Sequence, residues 1–538
     1  MKTVIYTIDE IEQAGAVIRA GGLIAFPTET VYGLGANALD AAAARRIFEA
    51  KGRPQDNPLI AHIADMAMLD KLCHDIPEAA RRIAARFWPG HLTMALPKRP
   101  IVPDAVTAGL STVGVRYPSH PVAQMLIRAA GVPIAAPSAN RSGKPSPTTF
   151  AHVLEDMDGR IDGIIDGGSS DVGVESTFIE FVGGKVRILR PGYITPEDLA
   201  EIVGAENVEI DGAVRQGLAE NERPRSPGMK YRHYAPSAPV VAVLGENWDC
   251  AREIRRGVRA QEGAAAIVCD EYADWIPCET LRVGPYGDYA AQAHRLFEAL
   301  RELDRPDVRM IYAQCPDDRG VGLAVANRLK RAAGFHVINA RHMTVLGLTG
   351  STGAGKGVVS RVLERAGAEI IDCDEVYHKM LTDDEALLMD LQAAFPAAFP
   401  EGKLDRRALG RIVFQDDAKL ERLNAVTHPH IRRRILEQLK ELEACGTALA
   451  VLDAPTLFES GADRACDFTL GVSADPELRS ARIMARDGLD REYARLRINA
   501  GKPDDYYRNQ CDFMIENNGA QEDAERAAQA VINKVMIP

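Results

Sequence analysis

Apolar residues in this chain fall into short runs that end in glycine, proline or hydroxylic residues, with stretches of helical spacing between them. Strand and helix signals therefore alternate, the pattern of an α/β protein. A helical stretch from Ile11 to Ala20 leads into the run Leu23-Ile24-Ala25-Phe26, a buried strand by its length. This strand empties into Pro27-Thr28-Glu29-Thr30-Val31-Tyr32-Gly33-Leu34-Gly35, a turn of small polar groups and bare backbone that a ligand can approach closely. A second helix is predicted from about Asp40 to Ala50. Beyond Val240 the alternation becomes regular. Strands are predicted at Val240-Leu244, Ala264-Cys269 and Met310-Ala313, with helices near Cys250–Ala260, Tyr289–Leu303 and Leu323–Ala333. That order predicts a small parallel unit. A third series begins with the strand Val345–Thr349 and a helix from about Val358 to Ala366. It continues with a strand ending in Asp372-Cys373-Asp374 and a buried strand from Ala448 to Leu452.

At 538 residues the chain exceeds what one core supports, and a length prior gives roughly three or four domains. Its 46% hydrophobic and 26% charged content is that of a globular protein. A net charge of −12 argues against an extended nucleic-acid footprint. Nine cysteines without a C-x-x-C pair imply reduced thiols, not a disulfide framework or structural zinc. No apolar run is long enough for a bilayer, and the first residues soon meet Asp9, Glu10 and Glu12, unlike a signal peptide. The expectation is a soluble, cytoplasmic, multidomain protein.

Several loops carry candidate chemistry. Lys51-Gly52-Arg53-Pro54 offers a point charge and a bidentate fork to an anion, unless it is simply a solvated basic loop. It precedes Asn57-Pro58-Leu59-Ile60-Ala61-His62. Phe87-Trp88-Pro89-Gly90, Thr112–Arg116, Ala136–Gly143, Glu175-Ser176-Thr177 and Arg190-Pro191-Gly192 each read as a short strand ending in a polar group beside Gly or Pro. Their recurrence predicts loops converging on one pocket from a single sheet edge. Asp211 to Pro239 is polar and basic, with Arg223, Arg225, Lys230, Arg232 and His233 around Ser226-Pro227-Gly228. It reads either as a linker or as a lid.

In the third series, Gly350-Ser351-Thr352-Gly353-Ala354-Gly355-Lys356-Gly357 lies between a strand and a helix, the context a phosphate cradle requires. Gly353, Ala354, Gly355, Lys356, Gly357 and Val358 would surround the phosphates. Gly357 stands where a Ser or Thr would ligand Mg2+. Asp372 and Asp374 put two carboxylates on the rim of a predicted strand. Arg482 and Arg486 have the spacing of one helix face, either a lid gripping phosphates or a solvated surface. Asn517 and Gly519 suit a turn.

The set P-T-E-T-V-Y-G-L-G, K-G-R-P, N-P-L, P-S-A-N-x-S-G and S-P-G-M-K-Y-R-H-Y, in this order over about the first 340 residues, resembles the threonylcarbamoyl-AMP synthase family. The resemblance implies formation of threonylcarbamoyl-adenylate from L-threonine, bicarbonate and ATP, with release of pyrophosphate. The product would feed the tRNA threonylcarbamoyl-transferase machinery that makes t6A. It also implies that Thr30, His62, Arg116, Ala136 and Ser176 hold threonine, with Arg116 on its carboxylate. Lys51, Arg53, Asn57, Thr112, Ser138, Ser146 and Arg190 would line the ATP side, under a lid carrying Tyr231, Arg232 and His233.

The last 195 or so residues resemble dephospho-CoA kinase, through the glycine loop, Asp372-Cys373-Asp374, His428-Pro429, Asp453–Glu459, Arg482–Asp487 and Cys511–Gly519. That implies transfer of the ATP γ-phosphoryl group, with Mg2+, to the ribose 3′-hydroxyl of dephospho-CoA, with Asp374, backed by Asp372, as the base or orienting carboxylate for that hydroxyl and Asn517 and Gly519 in a turn near the adenine. Gly357, Gly501 and Thr456 depart from the usual pattern. The implied fold class is α/β throughout: a YrdC-like twisted open sheet (1–205), a linker or lid (206–239), a small Rossmann-like parallel domain (240–340) and a P-loop kinase domain (342–538). The chemistry of the Rossmann-like part is not visible in its residues. Two other classes compete: an RNA-binding or ribosome-assembly factor, and an active synthase joined to a degenerate, nucleotide-sensing kinase.

Overall fold

The computed structural model describes residues 2–217, 224–227, 234–413, 416–488 and 490–536. The chain divides into two compact units, Met1–Ala340 and Arg341–Pro538.

Among the described residues of the first unit, eleven strands form one mixed sheet. Its middle runs Ile24–Phe26, Gly33–Asn37, Ile134–Ala135, Ile60–His62, Thr112–Arg116, Leu92–Pro97 and Thr177–Val182. Most of these strands are buried along their length, as their apolar runs predict. Close packing explains the glycines of the central turn. A Cβ on Gly35 would stand 2.7 Å from Ile134 Cγ2 and 2.8 Å from Phe26 Cε1. The helix Ala41–Lys51 starts at Asp40, whose carboxylate accepts from the amides of Ala42 and Ala43, and ends at Gly52 in the left-handed conformation.

Residues 240–340 build a second sheet, all parallel, in the order Glu279–Arg282, Ala264–Val268, Met310–Cys315, Val240–Leu244, Val337–Asn339. The two outer strands escape sequence reading because they are short and half exposed. Helices Asn247–Ala260, Tyr289–Glu302 and Gly322–Ala332 cover it. One apolar core joins this sheet to the first: Val31, Val172 and Val174 pack with Phe297, Leu300, Ala324 and Leu329.

The second unit has a five-stranded parallel sheet, Glu369–Asp372, Leu449–Asp453, Thr344–Gly350, Phe468–Ser473 and Phe513–Glu516. The glycine loop leaves its central strand, and the 28-residue helix Asp417–Ala444 packs beside it.

Three local readings are corrected. Phe87-Trp88-Pro89-Gly90 closes the helix Glu78–Phe87 and ends no strand; Ala80, Ile83 and Ala84 at helical spacing bury one face. Glu175 and Ser176 precede the strand Thr177–Val182 instead of following one. Asp372 ends its strand, but Asp374 lies in the first turn of helix Cys373–Asp383, because Asp372 caps that helix by accepting from the amides of Asp374 and Glu375.

Phe297 is fully buried in the core that Val31 enters, with its ring 5.0 Å from that of Tyr234. Phe297→Ala should destabilise the first unit by about 3–5 kcal/mol, read as a lowered urea midpoint. A loss below about 1 kcal/mol would mean that the shared core does not unfold cooperatively.

Candidate functional sites

In the first unit the central turn is locked from inside and outside. Thr28 Oγ1 donates to Val31 O at 2.6 Å and lies 2.9 Å from Thr30 Oγ1. The amides of Leu34 and Ala139 exchange bonds with the carbonyls of Pro137 and Tyr32, both at 2.8 Å. The amides of Val172 and Gly173 donate to Glu29 O and Thr30 O at 2.9 and 3.2 Å. A cavity of about 620 Å³, part of it open to solvent, lies beside this turn.

Thr30, His62, Arg116, Ala136 and Ser176 all line the cavity. Ile60 and His62, two residues apart on one strand, both face it, while Ala61 between them lies in the core. The cavity therefore covers a face of the mixed sheet, and the expected convergence from a single edge is corrected. Arg116 Nη2 donates to Glu29 Oε1 at 2.6 Å, with both side chains 5% exposed. Burial works to raise the Glu29 pKa, yet the charge and hydrogen bond of Arg116 outweigh it and hold it at about 2. His62, 3.2 Å from Ile60 O through Nδ1, is kept neutral by burial and then by the Arg116 charge, with its pKa at about 3. Ser176 and Thr93 share a hydrogen bond of 2.7 Å.

Arg53, Ser138 and Arg190 also line the cavity. Arg190 is buried and donates twice to Ser176 O, at 3.1 and 3.0 Å. Lys51, Asn57, Thr112 and Ser146 do not line it. Lys51 is the last residue of its helix, not part of the loop, and its ammonium donates to Ser138 O and Asn140 O at 2.5 Å each. Burial pushes its pKa well down. Its reading as a point charge on a loop is corrected: the carbonyls draw it under the Ser138 turn. Thr112 begins the strand that Arg116 ends, about 13 Å away. Ser146 donates to Glu175 Oε1. Asn57 is fully buried, and neither polar atom of its amide has a hydrogen-bond partner among the described residues, an arrangement that fits a ligand partner. Tyr231, Arg232 and His233 lie outside the described residues.

In the second unit, Gly353 and Gly355 take φ of +82° and +96°, which favours glycine. A Cβ on Gly355 would meet Asn517 Nδ2 at 2.4 Å. That amide donates to Ala354 O at 2.8 Å, Arg482 donates to Ala354 O and Asn517 O at 3.1 and 3.0 Å, and Arg479 donates to Thr352 O at 2.9 Å. With the Thr352 and Ala354 carbonyls tied back, and the Ser351 and Ala354 amides donating to Val472 O and Ser351 O, it is the other amides of the loop that can face an anion. Lys356, first in its helix, donates to Asp453 Oδ1 at 2.6 Å. Asp453 pairs in register with Asp372 on the adjacent strand. Asp374, Tyr377, His428, Arg432, Glu459 and Lys502 line a cavity of about 1620 Å³, part of it open to solvent, with Thr456 and Gly501 on its wall. Burial and the Asp372 charge raise the Asp374 pKa.

Three comparisons with known proteins bear on these sites. The Sua5, YciO and YrdC family, described as telomere recombination, matches residues 16–192. The threonylcarbamoyl-AMP synthase C-terminal domain matches 194–334, and dephospho-CoA kinase matches 344–523. Threonylcarbamoyl-AMP synthase of Pyrococcus abyssi is 47% identical over 331 residues, covering 61% of this chain and 95% of that protein. Dephospho-CoA kinase of Thermus thermophilus is 40% identical over 193 residues, 36% of this chain and 92% of that one. The crystal structure of P. abyssi Sua5 complexed with L-threonine is similar, with a TM-score of 0.58 at 44% identity, covering 63% of this chain and all of that one. The chain belongs to both families. It is a fusion of a threonylcarbamoyl-AMP synthase and a dephospho-CoA kinase.

In the kinase, Arg482 and Arg486 have different surroundings. Arg482 braces the phosphate loop, whereas Arg486 sits at the surface and bonds to its neighbour Asp487, because Asn517 and the loop lie beside only the first of them. Asp453 received no role from the sequence; an aspartate ending an apolar run was visible, but its place beside the glycine-loop strand was not. In the synthase, Glu29 and Glu175 were likewise unassigned, being carboxylates whose buried arginine partners come from distant segments.

The two low pKa values set an acid response for the synthase. His62 cannot take a proton in the folded state until about pH 3, whereas the unfolded chain protonates it near 6.5. Glu29 keeps its charge to about pH 2, against an ordinary value of 4.5. Both groups bind more protons when unfolded, so stability falls with acidification, first below about pH 6.5 and further below about 4.5. Glu29→Gln should flatten only the lower part of a plot of unfolding free energy against pH. An unchanged slope there would remove the pair as its cause.

Proposed function

We propose that the first unit makes L-threonylcarbamoyladenylate and the second makes CoA. In the first, the amine of L-threonine combines with bicarbonate to give a carbamate and water. A carbamate oxygen then forms a bond to the α-phosphorus of ATP as pyrophosphate leaves. Two anions have to be brought together, so fixed cations matter more than a strong base. The observation that carries this reading is a cavity with Arg116 held by Glu29 at one side and Arg190 held by Ser176 at another. Arg116, Thr30, His62 and Ser176 would orient threonine beside Ala136, with His62 neutral. Arg53, Ser138 and Arg190 would meet the triphosphate, with Asn57 completing that side. The product would pass to a tRNA threonylcarbamoyl-transferase for t6A.

In the second unit, Asp374 would orient or deprotonate the ribose hydroxyl of dephospho-CoA while Lys356 and the loop amides hold the phosphates of ATP. The raised Asp374 pKa suits a proton acceptor. Among the described residues no three acidic, imidazole or thiol side chains are grouped to hold a metal ion, Asp372 being engaged in a helix cap and Asp453 by Lys356, so magnesium would arrive on the ATP phosphates. When bound with ATP, it supplies charge neutralisation at the β- and γ-phosphates. We further read residues 1–205, 206–239, 240–340 and 342–538 as catalytic domain, linker or lid, accessory domain and kinase, in a cytoplasmic protein.

Gly357 supports a second reading, a kinase half that senses nucleotide. Only the Arg361 guanidinium, at 3.7 Å, lies near a Cβ placed there, so the missing hydroxyl can be restored without a clash. Products separate the activities, because the synthase releases pyrophosphate and the kinase releases ADP. Lys356→Ala should lower CoA formation by about 100-fold or more and leave pyrophosphate release within about twofold; loss of both would refute independent sites. Gly357→Ser should raise CoA turnover, and ATP binding without any CoA product in either form would favour the sensor. Arg53→Ala should raise the ATP KM of pyrophosphate release by about tenfold, and unchanged kinetics would remove Arg53 from the pocket.

A further inference from the structure

The second sheet of the first unit plays no part in the chemistry above, yet one of its side chains reaches the wall of the synthase cavity. Arg328, on helix Gly322–Ala332, is fully buried. Its Nε donates to Glu175 Oε2 at 2.8 Å, its Nη2 to Glu175 O at 3.3 Å and its Nη1 to Asn327 Oδ1 at 3.1 Å. Asn327 is itself fixed by donating to Val214 O at 2.7 Å. Glu175 lines the cavity, and its other oxygen accepts from Ser146. Both carboxylate oxygens are thus engaged.

Arg190 lines the same cavity. Its hydrogen bonds run to the carbonyl and hydroxyl of Ser176 and to Pro227 O; none joins it to Glu175 among the described residues. Two guanidinium groups thus share one carboxylate in a buried cluster, leaving one positive charge over. Were Arg328 absent, Glu175 would be a buried carboxylate with Arg190 as its remaining cation, and an unpaired buried charge is costly enough to drive such a pairing. The cavity cation would then be neutralised.

We propose that Arg328 is a positioning residue of the synthase site: by occupying Glu175 it keeps the charge of Arg190 uncancelled for the triphosphate of ATP. The second sheet accordingly controls the charge of a cavity that its own backbone does not form. The loop bearing Glu175 meets the helix Tyr289–Glu302 over the same sheet at two further points, with His294 Nδ1 2.8 Å from Asp171 O and Ala293 O filling the space where a Gly173 Cβ would stand. The inference rests on the synthase reading above, with Arg190 on the phosphate side.

The test is the steady-state kinetics of pyrophosphate release by the full chain, with ATP and threonine varied in turn. Arg328→Met should raise the ATP KM by about tenfold or more, with the threonine KM within about twofold. Arg328→Lys, which keeps the charge but not the fork, should recover much of the loss. Arg328→Met combined with Glu175→Gln should bring the ATP KM back to within about threefold of the wild type, because an amide cannot neutralise Arg190. This double variant and Arg328→Lys leave no unpaired buried carboxylate, so they carry the comparison if Arg328→Met does not fold. Parallel loss for both substrates, an unchanged ATP KM, or a double variant no better than the single one would overturn the proposal. A wild-type chain that releases no pyrophosphate would instead overturn the synthase reading itself.

Discussion

A guanidinium removed from water must be given partners, and the first unit is built around meeting that demand. Arg116, Arg190 and Arg328 are all buried. The partners differ, and the difference decides what each can do. Arg116 has a carboxylate, Arg190 has backbone and hydroxyl oxygens, and Arg328 has both a carboxylate and an amide oxygen. Neutral oxygens satisfy hydrogen-bonding needs without cancelling charge, so Arg190 remains a cation aimed into the cavity. Groups fixed in this way need no reorganisation when an anion arrives, which is where such sites gain most of their effect.

The kinase unit meets the converse need, giving loop carbonyls donors drawn from one amide and two guanidinium groups. Its phosphate loop must present amides, so its carbonyls have to be engaged elsewhere. Asn517, just past the last strand, and Arg482 and Arg479, within the helix Pro476–Asp487, take the Ala354 and Thr352 carbonyls from segments far away in sequence. The parallel sheet brings them together, because all five strands run the same way and their carboxyl ends crowd one rim. Asp372 and Asp453 reach the same rim by the same rule.

Much of this was legible in the sequence, unevenly. Strands such as Val240–Leu244 and helices such as Tyr289–Glu302 announced themselves through periodicity, since burial imposes it. The glycine loop was legible because strand, loop and helix are contiguous. Lys51 was misread because its partners, the Ser138 and Asn140 carbonyls, come from a turn almost ninety residues on. Glu29, Glu175 and Asp453 were passed over for the same reason. A carboxylate in a sequence carries no sign of whether a cation awaits it in the fold. Arg486 shows the converse: helical spacing is local, but what a helix face meets is not.

The contact between Lys356 and Asp453 has a consequence for ligand choice. Before any nucleotide arrives, the ammonium already has an anion, so loading the loop is an exchange of partners, not an addition. A bare orthophosphate would displace the aspartate and strand it without compensation. Any anion that enters the loop therefore has to offset the lost Lys356–Asp453 contact before it gains from the cradle.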